Sequence, residues 1–376
     1  MTAGTVVSQI LDSADRLARI AGETATAAEA QRRVEPGFIK ELTGSGLAAY
    51  SLPIAYGGHG GDVATLLEAV RRIGVADGSA AWVTMIYSTA SLAAHYLDDA
   101  AVKKVFTSGP ATISSGVLAP RGVAVRAGHE FVLSGRWPFA SGCLDAEWIS
   151  LGAMVDDPEV PGRLLNFYLP MESVEIVDTW DVVGLRATGS HDVVVREQVV
   201  PPALAFDLTE TPRTEDPIAR FPIYGLLAAC IGAVTLGIAR AAVDVALELG
   251  GAKVPTGSRR RLVDRPAFQE AVARSEAELE AATRLLFGRA GAQTGRASIE
   301  DRARLRMAAT YAVDSAAAVV DRMYRAAGGT SIYSGSPLQR QLRDVHTATQ
   351  HMMVAQPTWE LTGRVIAGID TDISGL

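Results

Sequence analysis

The feature that most constrains the fold is a change of hydrophobic period that occurs twice along the chain. Residues 5–106 repeat apolar side chains at helical spacing. Between residues 109 and 206 the pattern changes to short segments rich in β-branched and aromatic residues, separated by Gly, Pro, Asp and Ser. Helical spacing returns from Ile223 onward. Because helices and strands do not alternate, the pattern argues against a Rossmann domain.

We therefore predict a mainly α-helical protein with a central β domain. Residues 1–108 form an N-terminal helical domain, residues 109–206 a middle β-sheet or barrel domain, and residues 207–376 a C-terminal helical domain. Four long helices in the last region favour a four-helix bundle packed against the sheet. We expect these helices at residues 226–249, 266–291, 301–327 and 337–359.

Charge and composition exclude several classes of function. The chain has 35 Lys and Arg residues against 42 Asp and Glu, so we expect neither nucleic-acid nor anionic-lipid binding. Cys143 and Cys230 are far apart and lack metal-binding spacing, which indicates core residues in a reducing compartment and no metal site. The longest apolar run, residues 226–238, is predicted to be too short to cross a bilayer of ~30 Å. Since the N-terminus lacks a secretory signal pattern, we expect a cytoplasmic protein.

A glycine-rich turn near the C-terminal end joins two predicted helices. Gly328 and Gly329 can adopt positive φ and allow a ligand close to the backbone, and Pro337 suits the first turn of the next helix. A phosphate could bind at such a turn. Asp344 and His351 follow at helical spacing, which predicts a titratable imidazole on the same helix face. Most such turns bind nothing and most such histidines are structural, so the pattern alone leaves both interpretations open.

Four segments carry more specific motifs. Residues 133–148 read LSGRWPFASGCLDAEW, residues 179–190 read TWDVVGLRATGS, residues 327–329 read AGG and residues 337–344 read PLQRQLRD. Together with the order of helices and strands, they resemble the acyl-CoA dehydrogenase fold superfamily, and in particular its branch of flavin-dependent two-component monooxygenases. The resemblance covers nearly the whole chain. It implies an acyl-CoA dehydrogenase-like fold and a homotetramer in which neighbouring subunits complete the flavin site.

The resemblance also implies a set of flavin-binding residues. Trp137, Phe139 and Ser141 match the segment beside the isoalloxazine ring, where an aromatic side chain packs and a hydroxyl binds near N5. A strand that only fills a core would show the same alternation. Arg261 resembles an arginine that reaches the flavin pyrophosphate of a neighbouring subunit, and the glycine turn at residues 328–329 matches a second contact to that group. These pyrophosphate contacts favour FAD, with FMN as the other possibility.

The chain departs from the dehydrogenases of the superfamily at the catalytic base. Removal of an α-proton from an acyl thioester requires a positioned carboxylate. One usual position corresponds to the region of His351, which has no carboxylate before Glu360, and the other corresponds to Leu227. A monooxygenase instead forms a C4a-hydroperoxide from reduced flavin and O2, in a dry pocket with a group able to donate or accept protons. The resemblance therefore implies an oxygenase component that receives reduced flavin from a separate reductase.

Two further pairs of residues complete the predicted site. In the oxygenase hypothesis, His351 shuttles the catalytic proton and Ser115 helps to hold peroxide or substrate. Trp82 and Ser91 lie on a helix that could reach a pocket or only the core, and we predict that they contact a small organic substrate, such as an aromatic compound or a natural product. Two other functions stay open at this point. They are an acyl-CoA dehydrogenase with a displaced base and a flavin-free binding protein that retains the fold.

Overall fold

The computed structural model describes residues 3–60, 62–157, 162–292 and 297–376. Within these ranges, five α-helices precede a seven-stranded sheet and five α-helices follow it. The order of helices, strands and helices is as the sequence predicts, with one more C-terminal helix than the four expected. The domain boundaries themselves remain a prediction. The helices are α1 (Ala3–Gln31), α2 (Pro36–Gly44), α3 (Val63–Ala76), α4 (Gly78–Ala90), α5 (Asp99–Val105), α6 (Ile223–Ala252), α7 (Pro266–Gly291), α8 (Ile299–Ala327), α9 (Pro337–Thr349) and α10 (Pro357–Ile366). The strands are β1 (Ser114–Ala127), β2 (Glu130–Ala140), β3 (Trp148–Asp156), β4 (Leu164–Pro170), β5 (Glu175–Val177), β6 (His191–Val200) and β7 (Ala205–Phe206).

The strands form one mixed sheet in the order β5-β6-β2-β1-β3-β4-β7. β1 and β3 run parallel, and the other neighbours are antiparallel. The register between β2 and β6 shifts between Trp137 and Ala140, and Phe139 within this bulge has a φ of +65°. A bulge redirects the side chains that follow it. Trp137 is therefore fully buried while Phe139, two residues later, is 67% exposed.

Helix α6 is the central element of the C-terminal domain and packs against α3, α8 and α9. It has 30 residues and extends beyond the apolar run of residues 226–238, so by length and composition the whole helix could cross a bilayer. However, 89% of its most apolar window is buried inside the protein. The neighbouring helices thus cover α6, which is the arrangement of a core helix.

The structure also corrects the position of His351. The sequence predicts one helix over residues 337–359, but α9 ends at Thr349 and α10 begins at Pro357. Pro357 has no N–H to donate to a carbonyl four residues earlier, and it lies in the first turn of α10, where a helix tolerates proline, so a new helix begins there. His351 consequently lies in the turn after α9, not on the helix face that carries Asp344.

Candidate active site

Four side chains from three parts of the chain form a continuous line of hydrogen bonds. The indole Nε1 of Trp82, on α4, donates to the Oγ of Ser141 at 3.1 Å. The Ser141 Oγ lies 2.7 Å from the Oγ of Ser190, which lies 2.7 Å from the Oγ1 of Thr188. The Thr188 hydroxyl donates to the carbonyl oxygen of Leu185 at 2.8 Å. All four side chains are buried, so the line connects the N-terminal helices with the loop before β6.

Backbone bonds hold this line in place. Ser115, at the start of β1, is fully buried and donates its hydroxyl to the Ser141 carbonyl at 2.7 Å. The amide of Gly142 donates to the Thr188 carbonyl at 2.9 Å, and the Tyr87 hydroxyl donates to the Gly142 carbonyl at 2.8 Å. A buried polar group needs such partners, since an unpaired one costs about 1–3 kcal/mol. Ser115 thus supports Ser141, and its catalytic role stays a prediction.

Phe139 and Trp137 occupy opposite environments. The ring of Phe139 is exposed and makes an edge-to-face contact with Trp180, with centroids 6.1 Å apart. Trp137 has no exposed surface, and its Nε1 donates to the Gly152 carbonyl at 2.7 Å. Phe139 can therefore offer an aromatic face to a ligand, whereas the Trp137 side chain fills the space beneath the motif. The cofactor contact assigned to Trp137 stays a prediction.

The imidazole of His351 packs against Trp82. Their ring centroids are 5.6 Å apart and the ring planes meet at 64°. The Nδ1 of His351 accepts the backbone N–H of Met353 at 3.2 Å, so Nδ1 is unprotonated and the neutral ring carries its proton on Nε2. No described residue hydrogen-bonds to Nε2. Trp82 therefore joins an imidazole with a free N–H to the hydroxyl of Ser141.

Burial, and to a smaller extent the nearby cation of Arg306, lowers the pKa of His351 to about 4. Arg306, on α8, is itself 3% exposed, and burial lowers its pKa to about 10. Its guanidinium donates to the Met353 carbonyl at 2.9 Å and to the carbonyl of Gly375. Arg306 thus fixes the turn that holds His351 and adds to the effect of burial, which keeps the imidazole neutral.

Replacing Arg306 with methionine is expected to raise the pKa of His351 from about 4 toward 6.5 without reaching it, because burial remains. The folded protein binds fewer protons at His351 than the unfolded protein does between about pH 4 and 6.5. The stability linked to this group is fully present above pH 6.5 and is lost as pH falls to about 4. Titration of the imidazole by NMR measures the shift. Arg306→Lys, which keeps the charge, is the control, and an unchanged pKa in the methionine variant would contradict the role of the cation.

The line of hydrogen bonds that runs from Trp82 through Ser141, Ser190 and Thr188 to the Leu185 carbonyl is the hydroxyl line. A buried carboxylate fixes its Leu185 end. Asp344, on α9, accepts the backbone N–H of Leu185 at 2.6 Å, and Leu185 has a φ of +52°. Burial, and to a smaller extent the neighbouring carboxylate of Asp77, raises the pKa of Asp344 to about 7. The loop also approaches α9 closely at Gly184, where a Cβ would lie 2.2 Å from the Arg343 carbonyl oxygen. The C-terminal bundle thus sets the position of the Leu185 carbonyl.

A second group of predicted residues lies at the other end of α9. Gly328 ends α8 with a φ of +65°, and Gly329 has open space where a side chain would be. The Nζ of Lys253 donates to the Ala327 carbonyl at 2.7 Å. The Lys253 carbonyl accepts the amide of Leu262, next to Arg261, so the arginine loop and the glycine turn are neighbours. An ammonium group beside an open glycine turn suits an anion.

The two predicted substrate-binding residues, Trp82 and Ser91, lie in different surroundings in the structure. Trp82 contacts both His351 and Ser141. Ser91 follows the last residue of α4 and donates its hydroxyl to the Ser88 carbonyl at 3.1 Å. Among the described residues no hydrogen bond links Ser91 to Trp82 or Ser141. The substrate role of each stays a prediction. An acyl-CoA dehydrogenase would need a carboxylate base at one of two usual positions. Leu227, at one of them, lies on α6, and Glu360, the first carboxylate after His351, is an exposed residue of α10.

Sequence reasoning missed two residues of this arrangement, Arg306 and Lys253, and it missed the contact of Ser190 with Ser141. Ser190 appears in the motif at residues 179–190, yet nothing in the linear pattern shows that it bonds to Ser141. Arg306 is one of many arginines on helices, and only its burial distinguishes it. Lys253 closes α6 and gives no signal beyond a positive charge after a helix end, which a helix dipole alone would favour.

The residues around Ser141 fit a flavin ring. An exposed aromatic ring at Phe139 lies two residues from a buried hydroxyl at Ser141, and Thr112, three residues before Ser115, has a buried hydroxyl without a hydrogen-bond partner among the described residues. A flat, partly polar ligand satisfies such a surface by stacking and hydrogen bonding. The second group, with Lys253 and the glycine turn, has the chemistry of a phosphate site.

Comparison with known proteins decides the family. The sequence profile described as "Acyl-CoA dehydrogenase, C-terminal domain" matches residues 229–356. Indole-3-acetate monooxygenase of Pseudomonas putida is 30% identical over 375 residues, which is 98% of this chain and 95% of that protein. The chain belongs to this family of flavin-dependent monooxygenases. The recognition made from the motifs at residues 133–148 and 179–190 is therefore confirmed.

Other members of the family agree with this placement. The "FADH(2)-dependent resorcinol hydroxylase, oxygenase component" of Rhizobium sp. is 29% identical over 363 residues, covering 90% of this chain and 88% of that protein. The structure of XiaF from Streptomyces sp., solved in complex with FADH2 and glycerol, superposes with a TM-score of 0.91 at 26% identity, covering 98% of this chain and 97% of that one. The acyl-CoA dehydrogenase-like fold is confirmed.

Membership of the family also answers the question of reaction type. The protein is a flavin-dependent oxidoreductase of the monooxygenase type that uses reduced flavin, as the sequence predicted. The findings favour this function over an acyl-CoA dehydrogenase with a displaced base and over a flavin-free binding protein.

Proposed function

We propose that this protein is the oxygenase component of a two-component system that hydroxylates a small aromatic compound with reduced FAD and O2. Reduced flavin would come from a separate flavin reductase, in a cytoplasmic homotetramer. The observation that carries the proposal is the contact of His351 with Trp82, whose indole binds the Ser141 hydroxyl. Through Trp82, His351, which can move a proton, is connected with Ser141, whose hydroxyl would meet the flavin ring.

Each residue has a defined task in this proposal. Bound reduced flavin supplies the electrons that activate O2. Phe139 packs against the ring, and Ser141 binds its polar edge. Trp82 offers an aromatic wall that favours an aromatic substrate through edge or face contacts. His351, neutral at physiological pH, offers its Nε2–H as a hydrogen-bond donor near the reacting oxygen, and it can pass that proton on only as its other ring nitrogen takes one up.

The choice of FAD and of a homotetramer rests on the two separate groups of residues. The 13 residues of α9 span ~20 Å, with the glycine turn before their start and His351 beyond their end. Lys253, Arg261 and the turn would therefore bind the pyrophosphate of a flavin whose ring lies in a neighbouring subunit. FMN has no pyrophosphate, so this second group would contribute only to FAD binding.

The experiment that tests the function is rapid mixing of anaerobic protein, loaded with reduced FAD, against oxygenated buffer with and without each member of a panel of phenols and indoles. We expect hydroxylated product in amounts close to the flavin consumed for at least one compound, and hydrogen peroxide without substrate. Reduced FMN in parallel should bind more weakly. Bleaching of oxidised FAD by an acyl-CoA thioester, with no product from the panel, would overturn the proposal in favour of a dehydrogenase.

A further inference from the structure

The hydroxyl line that starts at Trp82 ends at a group that can only accept a hydrogen bond. The carbonyl oxygen of Leu185 lies 2.8 Å from the Thr188 Oγ1. Because a carbonyl has no proton to give, the single hydroxyl proton of Thr188 must lie between these two atoms. The indole of Trp82, at the other end, can only donate.

These two ends fix the direction of every bond between them. Since Thr188 gives its proton to Leu185, the 2.7 Å contact between Thr188 and Ser190 requires Ser190 to donate. Since Ser190 has then used its proton, the 2.7 Å contact between Ser190 and Ser141 requires Ser141 to donate. Ser141 also accepts the Trp82 N–H. Its oxygen is left with one lone pair and no free proton.

We propose that Thr188 and Ser190 set the hydrogen-bonding polarity of Ser141, so that the site selects reduced flavin over oxidised flavin. The inference rests on the proposed function, because it requires the flavin ring to meet Ser141. The N5 atom of reduced flavin carries a proton and can donate it to the remaining lone pair. In oxidised flavin N5 is a bare acceptor, which would face an oxygen that has no proton to offer.

The polarity depends on the Leu185 end of the line, and two substitutions reverse it. In Thr188→Val, Ser190 loses its acceptor and can turn its proton to Ser141, which frees the Ser141 proton for the ligand. In Ser190→Ala, the Ser141 proton is freed directly. Neither change leaves a polar group at Leu185 unpaired, because that carbonyl keeps the Trp180 Nε1 at 3.2 Å and the Thr188 amide at 3.2 Å.

Two matched controls keep the polarity unchanged. Thr188→Ser retains a hydroxyl that can donate to Leu185. Trp82→Phe removes one bond to Ser141 but leaves the Leu185 end intact, so the Ser141 proton still points to Ser190. Both controls should therefore preserve the preference between the two flavin forms, whatever they do to overall affinity.

The test is anaerobic titration of each protein with oxidised and with reduced FAD, which gives the ratio of the two dissociation constants. We expect the wild type and both controls to favour reduced FAD. Thr188→Val and Ser190→Ala should each lower this preference by about tenfold, equivalent to about 1.4 kcal/mol and within the range of one hydrogen bond. The midpoint potential of bound FAD should move to more negative values in these two variants, since oxidised flavin gains affinity relative to reduced flavin.

The outcomes separate this inference from the proposed function. If the wild type binds neither form of flavin, the proposed function fails and the inference fails with it. If the wild type binds both forms and the ratio is unchanged in either folded variant, only the inference is overturned. A ratio that falls equally in Thr188→Ser would also overturn it, because the hydroxyl would then not be the cause. Circular dichroism establishes folding, and each variant tests the polarity independently of the other.

Discussion

Replacing His351 with alanine is expected to lower product formation by about a hundredfold or more, while flavin binding and the fold remain. The O2 that the variant consumes should appear as hydrogen peroxide. The reason lies in the state of the imidazole. Its Nδ1 accepts the Met353 amide and its pKa is near 4, so at neutral pH the ring offers an Nε2 proton and no positive charge.

Two measurements check this result. Product and hydrogen peroxide are quantified per flavin oxidised in single turnovers, and reduced-FAD affinity is measured separately to show that the site is intact. His351→Gln is the matched control, because its side-chain amide can donate an N–H but cannot exchange a proton. If glutamine restores coupling, hydrogen-bond donation is sufficient; if it behaves like alanine, proton transfer is required. Unchanged coupling in His351→Ala would remove His351 from the mechanism.

The second large effect is expected on stability, from Gly237→Ala in α6. A Cβ at position 237 would lie 2.5 Å from the Arg71 carbonyl oxygen and 2.9 Å from the Gly74 Cα on α3. Both contacts are to backbone atoms, which cannot turn aside as a flexible side chain can. The two helices must therefore separate, and we expect a loss of about 3 kcal/mol in the free energy of unfolding.

Gly251→Ala on the same helix provides the control, since no atom lies within 4 Å of its added Cβ. Alanine there should stabilise the protein by a few tenths to about 1 kcal/mol, because it reduces the entropy of the unfolded chain. Urea unfolding followed by circular dichroism measures both effects. Equal midpoints for the two variants would show that the close approach of α3 and α6 does not limit stability.

Some features of the site follow from local sequence. The segment at residues 133–148 contains the aromatic and hydroxyl residues that the structure presents on the sheet, and the glycine turn at residues 328–329 ends α8 as predicted. Such features depend on neighbouring residues, through turn geometry and strand alternation. They can therefore be read from a single chain.

Other features depend on residues that are distant in the sequence. The alternation around Trp137 did not reveal the bulge that exposes Phe139, because the bulge reflects pairing with β6. The helical spacing from Asp344 to His351 did not reveal the break after Thr349. Nor could any local pattern show that Ser190 and Trp82 both bond to Ser141, since these residues are 49 and 59 positions away from it.

The sequence by itself determined the order of helices and strands, the absence of a Rossmann pattern and the family, because hydrophobic period and short motifs are properties of contiguous residues. Only the tertiary structure decided which polar atoms share protons and which charges are buried. The direction of the hydroxyl line from Ser141 to Leu185, and the neutral state of His351 beside Arg306, arise from atoms brought within a few ångströms by packing. Hydrogen bonds and pKa values depend on those distances and on the exclusion of water, which no spacing along the chain specifies.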